Sequence, residues 1–329
     1  MITIDDLIHL PYTADLSEGG VTYACRSLPH LGNTSGSSSS DDLRSLTAGV
    51  AVELALRRYL TRQNIPFNVK SPEPFTDPYR YDISLGGHRC DLKSFLISKR
   101  SQITALRGDL GLALAAPALV PLDQFSTDGN SANDLFLFAF LAGLIAISPA
   151  DLKKVAGASQ PTYLLHTLPD SWVRPQAWIP LGPLTLKSGS EEILNLEIGG
   201  LDKSREFLTC SLDLLPRTPV MVNADFYSLS YVHVKSKPGA RMSISSPSRK
   251  VPYLISSTQW SNIWIYGMDI YLAGWISRSE FRSRASLIPE GSQVFQSDRT
   301  HTKNLALSIS ELKPLSELFE RVREWNGLK

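Results

Sequence analysis

Apolar positions recur along this chain with two periods. Within residues 43–63, Leu46, Val50, Leu54, Leu56 and Leu60 fall at helix-like intervals. Asp41 and Asp42 offer an N-cap before them, and Pro66 stops the helix. Segment 67–69 follows, then two alternating runs, 79–85 and 88–95, joined by Gly86-Gly87. That junction predicts a β-hairpin, because glycine takes positive φ at both turn positions without steric cost. A mixed stretch reaches Pro121, and a polar loop covers 123–133. The longest apolar run, 135–147, has 13 residues, short of the ~18–20 that span a bilayer as a helix. It predicts a buried strand or core segment.

From about 161 to 261 the pattern changes to short alternating runs (193–198, 226–234 and 242–245) separated by Gly199-Gly200, Pro238-Gly239 and Ser246-Pro247. Such spacing predicts an antiparallel sandwich or barrel. A further strand is expected over 264–276. Ser277 and Glu280 form a capping box before the next helix, and a strand at 304–309 and a helix over 310–325 close the chain. The expected fold class is therefore α/β: an α/β core interrupted by a β-rich insert. The segments are 1–44, with a flexible Gly/Ser linker at 32–40; a core over 45–160; the insert over 161–261; and αβ elements over 262–329 that return to the core.

Charge alters this picture locally. The 329 residues carry 33 Lys and Arg against 32 Asp and Glu, and 43% are hydrophobic. That balance excludes a disordered chain and a uniformly basic nucleic-acid binder. Residues 226–268 nevertheless contain no acid, while Lys235, Lys237, Arg241, Arg249 and Lys250 lie among Tyr227, Tyr231, Tyr253 and Trp260. Those residues could bind phosphates and stack bases, or simply make a solvated, mildly basic face over core aromatics. Three cysteines without CxxC spacing and six histidines without an HxxxH pair point away from a disulfide framework and from structural zinc. The acidic N-terminus is unlike a secretory signal, so an intracellular, cytoplasmic protein without a membrane partner is expected. P-loop, GxSxG and GxGxxG patterns are absent.

Candidate chemistry concentrates between 49 and 95. Glu53 lies on the first helix, Asp82 on one hairpin strand, and Asp91-Leu92-Lys93 on the other. Strand alternation puts Asp91 and Lys93 on one face. Two carboxylates on adjacent strands can share Mg²⁺, whose other positions stay with water and phosphate oxygens. The lysine could orient the attacking water and offset phosphate charge. The triplet alone is weak: about 1.3 acid-x-Lys triplets arise by chance at this composition, and the chain holds three, with acids Asp91, Asp151 and Glu311. Only the first is expected on a strand; Asp151 suits the first turn of a helix after Ser148-Pro149. Plainer readings stand beside the catalytic ones: Asp82 paired with Arg80 or Arg89, Asp91 with Lys93, Glu53 with Arg57, and Asp77 as a competing first acid.

The runs 48–69 and 81–95 resemble the PD-(D/E)xK nuclease superfamily, the restriction-endonuclease-like fold, over about residues 45–142. The resemblance implies an αβββαβ core with a mixed sheet and Mg²⁺-dependent endonuclease activity, on DNA more often than RNA, with Mn²⁺ able to substitute. It implies Asp82 and Asp91 as the motif acids, Lys93 as the motif lysine, Glu53 as the first-helix glutamate, and Ser94 as a supporting polar residue. Tyr81 stands where the named signature has proline. Lys99, Arg100 and Arg107 follow the motif and could clamp the scissile strand. A restriction-like or defence role, a homodimer or partner subunits, and a substrate-selecting insert are the corresponding expectations. Two rivals remain: a catalytically silent nucleic-acid-binding or assembly subunit on the same fold, and a carbohydrate-active enzyme whose Trp172, Trp178, Trp260 and Trp264 stack on sugars.

Overall fold

The computed structural model describes residues 1–31, 40–69, 82–125, 131–297, 299–325 and 327. In chain order the first elements are strand β1 (Ile8–Pro11), helices α1 (Ala14–Ser27) and α2 (Ser40–Arg62), and strands β2 (Ile83–Leu85) and β3 (His88–Ile97). Helices α3 (Arg100–Gly108) and α4 (Gly111–Ala115), strand β4 (Pro117–Pro121), helix α5 (Leu122–Phe125) and strand β5 (Leu135–Ile145) follow. Then come α6 (Pro149–Gly157), β6 (Leu164–Thr167), α7 (Asp170–Val173), β7 (Thr185–Ser188), β8 (Leu194–Leu201) and β9 (Phe207–Leu214). They lead to β10 (Val220–Met221), β11 (Ser228–Val234), β12 (Met242–Ser245), β13 (Tyr253–Ile255) and β14 (Ser261–Asn262). The chain closes with β15 (Ile265–Ser277), α8 (Arg278–Arg284), β16 (Ser286–Ile288), β17 (Asn304–Ser308) and α9 (Leu315–Trp325).

Two compact units divide the chain. The first comprises Met1–Gly20, Ala48–Leu144 and Ile265–Lys329; the second, Val21–Thr47 and Ile145–Trp264. The β-rich unit thus starts at 145 and includes 21–47. Helix α1 is not among the elements read from sequence, although Leu16, Val21, Ala24 and Leu28 are buried at near-helical spacing.

The first unit is mixed α/β. Its five-stranded sheet has the order β1-β15-β5-β3-β2. Gly86 and Gly87 take φ of +54° and +82°, so the β2–β3 hairpin turns where glycine has no Cβ to clash. An antiparallel bridge from Asn68 to Ser84 sets the preceding segment beside β2. After β3 the chain crosses over through α3, α4 and α5, and β5 then pairs with β3 in parallel, Asp91 opposite Phe136 and Lys93 opposite Phe138. Residues 135–143 of β5 are all buried, which explains the uninterrupted apolar run: a strand covered on both faces has no polar side to alternate with. Phe136, Phe138 and Phe140 join Phe281, Ile103 and Leu106 in one core, which also takes Ala118, Val120 and Leu307 from the small sheet β16-β17-β4. The capping box forms as expected, Glu280 N donating to Ser277 Oγ at 3.3 Å.

Antiparallel pairs build the second unit. A four-stranded sheet, β10-β7-β12-β13, and a five-stranded sheet, β14-β6-β11-β8-β9, share one apolar core. Leu186 and Ile244 enter it from the first, Ile198 and Val232 from the second, and Trp172 from α7. Among the described residues no helix is long and apolar enough to cross a membrane. The linker expected at 32–40 lies outside the described residues up to 39; Ser40 begins α2. Asp77, Arg80 and Tyr81 also lie outside them, so the strand expected over 79–85 is described only as Ile83–Leu85.

Candidate active site

Alternation along β3 sorts the site into two faces. Cys90, Leu92 and Ser94 share one, and Asp91, Lys93 and Phe95 the other. Helix α2 meets the first: a Cβ on Gly49 would lie 3.4 Å from Ser94 Oγ. Glu53 follows Gly49 by one helical turn and so lies on the same flank of α2. The other face carries the phenylalanine layer, with Phe95 stacked on Phe138 at a centroid distance of 6.5 Å. There Lys93 Nζ donates to Gln124 Oε1 at 2.8 Å and pairs with Asp91 Oδ2 at 2.7 Å. Alternation thus puts the sheet between Glu53 and the Asp91–Lys93 pair.

Asp82 joins the two sides at the hairpin edge. Its amide donates to Cys90 O at 3.2 Å, and its Oδ2 accepts from Leu92 N at 2.6 Å. The carboxylate therefore takes a position that a neighbouring strand's carbonyl would otherwise fill, immediately beside Asp91. Arg57 Nη2 reaches Asp82 O at 3.4 Å and also pairs with Glu53.

Electrostatics mark Glu53 as the perturbed acid. Only 7% of it is exposed. Burial, then the charge of Asp82, pushes its carboxyl up to about 7, against the lowering effect of Arg57. Arg57 Nε is buried with no hydrogen-bond partner among the described residues. The Cys90 thiol is pushed up to about 12, chiefly by burial; the charges of Asp82, Asp134 and Asp91 also raise it.

Asp91 and Lys93 share a face as expected, and Asp82 lies beside them. Glu53 is near Asp82 but across the sheet from Asp91. The expected three-carboxylate centre does not assemble: among the described residues no group of three His, Cys, Asp or Glu side chains is placed to hold a metal ion. The plainer pairs, Glu53–Arg57 and Asp91–Lys93, both form. The remaining donor set still suits a hard cation, since Mg²⁺ needs only one or two carboxylates with water and phosphate. Asp82 and Asp91 are the carboxylates that could meet that demand; the raised Glu53 carboxyl reflects burial first and the Asp82 charge second. Gln124, Asp134 and Arg278 complete the surroundings; they lie far from the motif in sequence, and no local pattern marks them.

The basic residues fare differently. Lys99 and Arg100 open α3 on the surface. Arg107, expected to clamp a strand, is held by Asp269, with Nε and Nη2 each 3.0 Å from Oδ2. In the second unit Lys235, Lys237, Arg241 and Lys250 are exposed, whereas Arg249 lies over the Trp172 ring at 4.7 Å. Tyr231 and Trp260 are buried, which removes them as stacking platforms for bases. Trp172, Trp260 and Trp264 are likewise buried, which removes these three as sugar platforms, and Arg205 lies 4.5 Å over one face of the half-buried Trp178.

No family model, no curated protein and no solved structure matches the chain.

Proposed function

We propose that this chain is a nuclease that hydrolyses phosphodiester bonds in DNA with Mg²⁺, or Mn²⁺ in its place, on a restriction-endonuclease-like core. The observation that carries this reading is the Asp91–Lys93 pair on one strand face, with the Asp82 carboxylate bonded to the very next amide. The element order supports it: α2, a single bridge at Asn68, β2, β3, a crossover through α3, α4, β4 and α5, and parallel β5 resemble an αβββαβ core in which β4 pairs in a separate sheet. Asp82 and Asp91 would hold the cation, which supplies charge stabilisation at the reacting phosphate. Lys93 places a cation on the same face, fixed by Gln124 and able to orient water or neutralise a phosphate oxygen. Glu53 lies behind Asp82, whose charge, after burial, helps to raise the Glu53 carboxyl.

Incubation with plasmid, single-stranded DNA and RNA, with and without Mg²⁺ or Mn²⁺, tests the proposal. Cation-dependent cleavage is expected, and Asp91→Ala or Lys93→Ala should lower it by at least about 100-fold while the protein stays folded. Full cleavage by the Asp91→Ala protein would sink the assignment. A catalytically silent binding subunit is the second reading, favoured by the fact that Glu53 and Asp91 each already have a cationic partner. Retained DNA binding with no cleavage of any substrate selects it.

A further inference from the structure

Arg278 comes from the far end of the chain to the face that carries Asp91 and Lys93. Its amide donates to Asp134 O at 2.8 Å, which anchors the first turn of α8 to the start of β5. Its guanidinium lies 4.4 Å from the centroid of Phe125 and 5.8 Å from that of Phe136, and it also donates to Phe125 O. A planar cation pressed on two rings is pre-organised, because its long side chain has already lost much of its freedom.

Among the described residues the guanidinium has no ion pair. Asp91 and Asp134 lie near enough to act on it through space, yet neither forms a salt bridge with it among the described residues. Arg282, one helical turn along α8, adds a second positive charge that acts on Arg278 and has no ion pair among those residues either. Half-burying a guanidinium costs solvation free energy, and placing it near another cation adds repulsion. A phosphodiester oxygen would offset both, and the guanidinium fork matches phosphate geometry with two parallel donors.

We propose that Arg278, assisted by Arg282, is the phosphate-binding group of this site and engages the DNA backbone beside Asp91 and Lys93. This rests on the nuclease reading for the identity of the ligand but not for its test, because binding is measured without hydrolysis.

The experiment is titration of a fluorescein-labelled DNA duplex in EDTA, over a series of salt concentrations. Wild type would be compared with Arg278→Gln, Arg278→Lys, Arg282→Gln and, as a control, Arg58→Gln. Arg278→Gln should weaken binding by about tenfold or more and reduce the slope of log K on log salt by about one, as for one lost phosphate contact. Arg278→Lys should lie between it and wild type, Arg282→Gln should weaken binding severalfold, and Arg58→Gln should not change it. Unchanged affinity and slope in a folded Arg278→Gln protein overturn the proposal, as does a wild type that binds no duplex. Should Arg278→Gln fail to fold, Arg278→Lys and the exposed Arg282→Gln decide, and wild-type affinity in both overturns it. If wild type never cleaves with Mg²⁺ while the Arg278 effect persists, the nuclease reading falls and the phosphate site stands.

Discussion

Glu53 makes the protein's stability depend on pH in a calculable way. Its carboxyl is raised from 4.5 to about 7 in the folded state. A raised acid binds its proton more tightly folded than unfolded, so the unfolded chain ionises first. Stability therefore falls as pH climbs from 4.5 towards 7, and the loss is complete above about 7. A displacement of about 2.5 pH units at 1.36 kcal/mol each corresponds to about 3 kcal/mol. No large discount for solvent applies, because only 9% of the side chain is exposed. Glu53→Gln imitates the protonated acid in shape and still offers Arg57 an acceptor. The variant should be more stable than wild type by about 3 kcal/mol at pH 8, shrinking to below about 1 kcal/mol at pH 5. Urea denaturation followed by circular dichroism at the two pH values measures the difference, and comparison with wild type cancels the histidines that titrate in the same window. Equal gaps at pH 5 and 8, or a variant less stable at pH 8, would refute the reasoning.

The Asp82 charge is the second cause of that raised carboxyl, so Asp82→Asn should move the Glu53 titration down, as read by carbon NMR of the carboxyl; an unmoved curve would show that the two do not interact. Saturating Mg²⁺ should move it in the same direction in wild type if a cation settles beside Asp82. In the second unit, a Cβ on Gly200 would lie 2.0 Å from Ser228 O and 2.9 Å from Leu229 Cα, both backbone atoms. Gly200→Ala should therefore cost about 1–3 kcal/mol or more, and an unchanged Tm would contradict the packing of β8 on β11. Cys25 and Cys90 are buried with thiols pushed up to about 12, whereas Cys210 is half-exposed. A thiol reagent should label Cys210 alone in the native protein at pH 8 and all three cysteines after denaturation, since the thiolate is the reactive form.

Much of the fold was legible locally. The hairpin was readable because Gly86-Gly87 specifies its own turn, α8 because Ser277 and Glu280 cap each other, and β5 because an unbroken apolar run has no polar face to turn to solvent, as the burial of 135–143 bears out. Helix α1 was less so, because Glu18, Gly19 and Gly20 interrupt its apolar spacing. The candidate site was legible only along one strand. Alternation is a local rule, so the shared face of Asp91 and Lys93 follows from residue spacing alone.

Which face of the sheet α2 covers is a different kind of fact. It depends on which side of β3 accepts a helix at Gly49, and no nearby residue encodes that choice. Only the tertiary structure puts Glu53 with Arg57 and Asp82 and away from Asp91. It also brings Gln124, Asp134 and Arg278 to the motif through a crossover and a return from the distal end of the chain. Spacing, turns and caps are set by the backbone's short-range sterics and hydrogen bonds, and the sequence determines them directly. Opposition across a sheet and charge brought from far along the chain are set by how layers bury their apolar faces, which only the folded chain decides.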